Sequence, residues 1–440
     1  MPLARPTLRA ALRAGLCGSA VTLLLLVVAG PPLGGGARSN PIPAPPVAEP
    51  LASGPLVRVL LLEGPVITVG AAGAAGLRLS DQENRPLLEV DAGRQVRLLR
   101  LGGSLSVEPL ASGSLPGNPG APSPLVLPLQ ELRLDPIDPR GLLVVKQRRY
   151  RGTLFLRPQG EGMQAINRLP LESYLLGVVG SEMPPSWPLA ALRAQAVASR
   201  TYALQQLRPA APYDLKATVA SQVYKGLESE SPAVREAVAS TRAQVLTHGE
   251  KLINAVFHSS GGGQTENSGE LWSRQAPYLV SVRDDDSLSP VSRWEKTFTP
   301  QALRQAFAEI GGAITIQPLE TSRTGRLRRA RVIGPDGELV LTGSALRERL
   351  GLRSTLVRFR FEPAGRADAR EAVASGPLPP PPLPPEAPLP PPALRLVAEG
   401  RGFGHGVGMS QWGAYALALQ GKSHEDILRH YYRGAVLRSW

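Results

Sequence analysis

Cysteine is almost absent: Cys17 is the only one in 440 residues. It sits at the edge of an apolar run near the N-terminus. If that run is removed, no thiol remains, which excludes disulfide staples, thiolate nucleophiles and cysteine-ligated metals. Histidines are also scarce. His248, His258, His405, His424 and His430 include no H-E-x-x-H pair. His258 precedes "SSGGGQTE", but His248 is at no recognised ligand spacing from it, and no nucleophile elbow surrounds a serine. No metal and no cofactor are expected. Aromatic residues make up 5% of the chain. Acidic residues number 36 against 49 basic ones, a net charge of +13 that suggests an anionic partner. Apart from the N-terminal run, no segment is apolar over the roughly 20 residues that a spanning helix needs.

Glycine (46) and proline (45), by contrast, are plentiful and punctuate the chain. Arg5, Arg9 and Arg13 lead into the apolar core "AVTLLLLVVAG", and "GGGARS" offers small residues for cleavage after Ala37. Residues 1–37 are therefore expected to be an export signal, with an uncleaved anchor as the alternative. Export places the protein in the periplasm or cell envelope and argues against a nucleic-acid partner. Residues 38–55 form a proline-rich linker. Residues 56–160 show short apolar or alternating runs broken by Gly, Pro and Asn, a β-rich region with a hairpin signal at "DAGR" (91–94).

A mixed α/β core over 161–363 follows, with helices signalled by Ser186, by Ser231 with Pro232, and near Thr299, and with strands at "KLINAVF" and "RWEKTF". Residues 364–392 end in "GPLPPPPLPPEAPLPPP", a polyproline-like spacer or partner-binding tract. Residues 393–440 return to structure with a strand, a glycine-rich turn and two helices. The fold class is α+β. "ALALQGKS" loosely matches a phosphate loop, but helix formers precede Gly421, which reads as a helix stop with Ser423 as the next N-cap. "GFGHGVG" lacks the dinucleotide spacing. The arginines of "SRTGRLRRARVIG" alternate with apolar residues, as on the solvated face of a strand.

Glu182, in "SEMPPSWP", stands alone among apolar residues. Such surroundings raise a carboxyl pKa, as a general acid at neutral pH requires, although a satisfied buried carboxylate would look the same in sequence. Pro184 and Pro185 stiffen the turn. Trp187 is placed either to stack on a sugar ring or to staple the helix start. Arg200, on the following helix, would steady an anion or pair with Glu182. His405 either meets a ligand or fills a tight turn.

The segments "LESYLLGVVGSEMPPSWPLAALRAQAVASRTYAL", "FHSSGGGQTENSGELW", "APYLVSV", "LRERLGLRSTLVRF" and "GFGHGVGMSQWGAYALA" stand in a characteristic order. From about Leu56 to Tyr432, outside the insert, the chain resembles the sporulation stage II protein D and amidase-enhancer family (SpoIID/LytB). The resemblance implies a lytic transglycosylase acting on peptidoglycan glycan strands, especially strands stripped of stem peptides. It puts the catalytic glutamate on Glu182 and the motif arginine on Arg200. Trp412 stands where the family has tyrosine. Zinc ligands of some members include cysteine, so no such site is expected here. Trp187, Lys296, His405, Gln411 and Trp412 join Arg200 as candidate glycan contacts. The glycine-rich loop is expected to wall the groove around Glu182 and to let a glycan approach its backbone. The resemblance equally allows a non-catalytic wall-binding protein that stimulates an amidase. A Glu182 locked against Arg200 would favour that binder.

Overall fold

The computed structural model describes residues 54–110, 124–363 and 394–440. The N-terminal run, most of the linker and the whole of the proline-rich insert lie outside them. Twelve strands open the described chain: β1 (Leu56–Gly64), β2 (Val66–Ala72), β3 (Leu77–Ser80), β4 (Pro86–Val90), β5 (Gln95–Leu101), β6 (Ser104–Leu110), β7 (Leu125–Pro128), β8 (Leu132–Pro136), β9 (Leu142–Val145), β10 (Arg148–Tyr150), β11 (Thr153–Gln159) and β12 (Gly162–Pro170). They form two sheets. One has the order β1-β12-β11-β8-β3-β4, extended beyond β1 by β13 (Leu215–Lys216); the other runs β10-β9-β2-β5-β6-β7. Alternation sends every second side chain inward. Val57, Val59, Leu132, Leu134, Leu154 and Leu156 of the first sheet meet Ile67, Val69, Val96, Leu98, Leu105 and Leu143 of the second in one core. Each such side chain contributes roughly 1.5–3 kcal/mol by leaving water. The "DAGR" turn does not close a hairpin. β4 and β5 lie in different sheets, so Asp91–Arg94 carries the chain across the sandwich.

α1 (Leu171–Glu182) follows β12 at once, with Pro170 at its N-cap. It is buried nearly all round, as befits a central helix whose residues are apolar or small on every face. It stops at Glu182 because Pro184 restricts Met183, which is extended (φ −129°, ψ 142°). The next helix starts later than Ser186 predicts. α2 (Leu189–Gln205) has Pro188 at its N-cap, and Ser186 makes no cap bond. α2 is buried on all sides from Ala194 to Thr201. α3 (Pro232–Ser240) is capped by Ser231, which accepts from the Val234 N–H. "KLINAVF" is not one strand: β14 (Gln244–His248) pairs with β15 (Lys251–Leu252), and β16 (Phe257–His258) belongs elsewhere.

A smaller second core follows the four-residue α4 (Ser268–Leu271). It is built from β17 (Arg293–Phe298), α5 (Pro300–Ala306), β18 (Thr315–Thr321), β19 (Leu327–Gly334), β20 (Gly337–Thr342), α6 (Gly343–Leu350), β21 (Val357–Pro363) and β22 (Leu394–Arg401). Thr299 caps α5 as predicted. Arg328 and Arg329 are solvent-facing on β19, but Arg326 just before it is only 3% exposed. The chain then returns to the first core through β23 (Met409–Ser410), α7 (Gln411–Leu419), α8 (His424–Tyr431) and β24 (Val436–Ser439), which pairs with β14. Gly421 (φ 80°) ends α7 and Ser423 opens α8 with a capping box, so this segment is a helix junction and no phosphate loop. No helix among the described residues is long and apolar enough to cross a membrane.

Candidate active site

Glu182 is the last residue of α1 and keeps part of its surface accessible. Burial pushes its carboxyl above the ordinary 4.5, against the pull of the Val223 and Gln411 hydrogen bonds and of the Lys225 charge. The negative end of α1 acts in the same direction as burial. The Val223 N–H donates to Oε1 at 2.7 Å, and Gln411 Nε2 donates to Oε2 at 3.2 Å. Two glycines of α1 make the first contact possible. A Cβ on Gly177 would lie 2.5 Å from the Tyr224 ring, and one on Gly180 would lie 1.9 Å from the Ser229 carbonyl. Without side chains there, the 222–230 segment lies flat on the helix.

The second contact comes from α7. Met409 and Ser410 pair in parallel with Phe257 and His258, the Trp412 N–H donates to the Ser259 carbonyl, and Ser410 caps the helix. Gln411 thereby reaches the acid. Trp412 packs against Trp187 at 4.8 Å between ring centroids, and Tyr415 closes the aromatic cluster at 4.8 Å from Trp187 and 5.5 Å from Trp412. All three rings stay half-buried. Trp187 lies in the turn that follows Glu182, where its N–H bonds the Pro184 carbonyl. The structure thus brings Gln411, Trp412 and Trp187 together around Glu182.

Three other candidates are held by other partners. Arg200 is fully buried and does not touch Glu182. Its Nε and Nη2 meet the two oxygens of Glu172 at 2.6 and 2.8 Å, and it also donates to the Val238 and Gln244 carbonyls. It is a structural cation tying α2 to α1, because this stretch of α2 is buried on all sides. Lys296 donates to the Leu350 and Gly351 carbonyls at 2.8 and 3.2 Å, capping the end of α6 in the second core. His405 stacks near His258 (5.4 Å) and Trp272 (5.9 Å) and accepts the Val407 N–H through Nδ1. Burial, with Arg347 nearby, pushes it down to about 4.

The glycines of the loop serve the protein. Gly402, Gly404, Gly406 and Gly408 have φ between 72° and 109°. A Cβ on each would meet Ser260, His258, Arg326 and Val256 at 2.1–2.8 Å, so their open sides are filled by neighbouring segments and not kept for a glycan. Among the described residues, no three His, Cys, Asp or Glu side chains gather as a metal site.

Sequence reasoning missed the Val223 N–H, Lys225 and Tyr415. A backbone donor has no signature in sequence, and Lys225 resembles any surface lysine. Tyr415 lies three residues after Trp412 on one helix face, a spacing that could have flagged it.

The family described as Stage II sporulation protein matches residues 159–248, which hold Glu182, Arg200, Val223 and Lys225. Stage II sporulation protein D of Bacillus subtilis (strain 168) is 32% identical over 293 residues, covering 62% of this chain and 76% of that protein. The protein of the same name from Bacillus amyloliquefaciens is 33% identical, covering 61% and 74%. The amidase enhancer of Bacillus subtilis (strain 168) is 30% identical over 292 residues, covering 60% of this chain and 40% of its own length. Likeness at this level, sustained over most of the sporulation protein, with the family match including the Glu182 helix, makes the chain a member of the SpoIID family.

Proposed function

We propose that the protein is a lytic transglycosylase that cuts the MurNAc–GlcNAc bond of denuded peptidoglycan strands, with Glu182 as its one acid and base. Membership of the family supports a cell-wall role. The observation that carries the chemistry is a carboxyl whose pKa burial raises, on a residue that stays partly exposed, held by an N–H and an amide and free of any arginine. The short Val223 bond fixes Oε1 as an acceptor, leaving Oε2 to bear the proton. That proton passes to the bridging glycosidic oxygen as the MurNAc C1–O bond breaks. The C6 hydroxyl of the same MurNAc then attacks C1, and its proton returns to Glu182. A 1,6-anhydro ring closes with no water consumed, so no second carboxylate is required, unlike hydrolytic glycosidases. Trp187, Trp412 and Tyr415 offer faces for sugar rings. The chain would work outside the cytoplasm, in keeping with its N-terminal apolar run.

The amidase-enhancer relative motivates a second reading, a wall-binding protein that stimulates an amidase. One experiment separates the two. Denuded strands treated with the wild-type protein should release anhydro-MurNAc ends, seen by mass spectrometry, and Glu182→Gln should release none while retaining its circular dichroism. No anhydro product from the wild type would leave the binder.

A further inference from the structure

The segment that secures Glu182 also carries a lysine, Lys225, that forms no ion pair among the described residues. Gln222 and Tyr224, 1% and 3% exposed, anchor the segment in the core. Gln222 accepts from the Tyr174 hydroxyl at 3.0 Å, and the Tyr224 hydroxyl donates to Asn167 at 3.0 Å. Between and after them, Val223 and Lys225 remain partly exposed. Gly226 (φ 74°) then passes so close to Arg149 that a Cβ would lie 2.2 Å from its carbonyl, which fixes the backbone beyond Lys225. The acids that follow are already taken: Glu228 pairs with Arg149 at 3.1 Å, and Glu230 with Arg151 at 2.7 Å and Arg235 at 2.6 Å. Among the described residues Lys225 forms no ion pair, and the carboxyl its charge acts on is Glu182. While Glu182 is a neutral acid, the lysine beside it has no counter-charge.

We propose that Lys225 receives the lactyl carboxylate of a denuded MurNAc residue, and so makes the site selective for strands without stem peptides. This rests on the transglycosylase reading for its choice of ligand. A peptide-bearing MurNAc presents an uncharged amide at the same atom and gives the lysine nothing to pair with. A denuded strand supplies one carboxylate per MurNAc, beside the bond to be cut. The charge-assisted bond is of the strong kind. It has a second effect. An unpaired Lys225 draws the proton off Glu182, whereas a paired one does not, so the correct substrate helps keep the acid protonated.

The test uses denuded strands and the same strands with their lactyl groups converted to methyl esters. Binding is measured to Glu182→Gln protein, which cannot cut and keeps the neutral shape of the acid. The free-acid strands should bind about tenfold more tightly than the esters, as expected for one charged hydrogen bond at a half-exposed site. Adding Lys225→Gln should bring the ratio to about one, and adding Lys225→Arg should restore most of it. Equal binding of acid and ester strands, or a tenfold ratio that survives Lys225→Gln, overturns the proposal. If Lys225→Gln does not fold, the Lys225→Arg protein and the acid-to-ester ratio still decide. Anhydro-product release by the wild type is scored in parallel. A ratio that depends on Lys225 without product would retain the lysine's role while ending the transglycosylase reading.

Discussion

A carboxyl buried at the end of a helix has a stability signature of its own. Glu182 titrates above the ordinary 4.5 because burial disfavours its charged form. Below pH 4.5 both folded and unfolded chains hold the proton, and the site costs nothing. As pH rises, the unfolded chain ionises first and the folded one resists, so stability falls. Glu182→Gln should therefore be more stable than the wild type at pH 7, with a difference in melting temperature that closes as pH falls below the ordinary carboxyl range. A gap of constant size would show that burial is not what holds the proton. Arg200 is a different case. Its bidentate pairing with Glu172 is buried on both sides, with side-chain exposures of 1% and 8%. Arg200→Ala leaves a buried carboxylate alone and should cost roughly 3–5 kcal/mol in denaturant unfolding, and Arg200→Lys should recover only part because the fork is lost. At this scale the acid was legible, since "EMPPSWP" carries its own apolar surroundings. The arginine was not. It was expected to steady an anion or pair with Glu182, but its partner lay 28 positions back on another helix.

Elements were read well where punctuation is local. Ser231, Thr299 and Ser423 each cap the helix they announce. Ser186 failed because Pro188 starts the helix two positions later, and "KLINAVF" failed because its ends serve different sheets. The glycines of α1 show why propensity does not settle a position. Gly180→Ala would by propensity gain about 0.5–1 kcal/mol for the helix. Here the added Cβ would lie 1.9 Å from the Ser229 carbonyl. The variant should lose stability and displace the 222–230 segment, and with it the Val223 N–H. We expect at least about a tenfold fall in cutting rate per folded molecule, measured from anhydro-end release. A variant as fast and as stable as the wild type would mean that the segment is not seated through this helix face. Gly413 of α7 admits a neighbour in a similar way: a Cβ there would lie 1.9 Å from Asp284, which accepts the Tyr431 hydroxyl of α8 at 2.7 Å and the Gly261 N–H at 2.9 Å and is pushed up to about 6 by burial.

On the scale of the whole molecule, two cores of unequal size share the described chain. The α+β class was visible from alternating runs followed by helical ones, whereas the second core was not, because β17 and β22 that join in it lie on either side of the proline-rich insert. The smaller core should open first. Amides of β19 should exchange with solvent through openings of lower free energy than those of β11 and β12, and equal protection in native-state exchange would contradict this. Glu182 itself belongs to the larger core, yet its two donors stand 41 and 229 positions further along the chain. A chain that folds as it emerges owns the acid early, acquires the Val223 clasp soon after, and receives Gln411 only when nearly all of it has been delivered. The proposed ability to cut would thus be dated by sequence order: an unfinished molecule carries Glu182 but not its setting, and the proposed activity would become available only once both donors are in place.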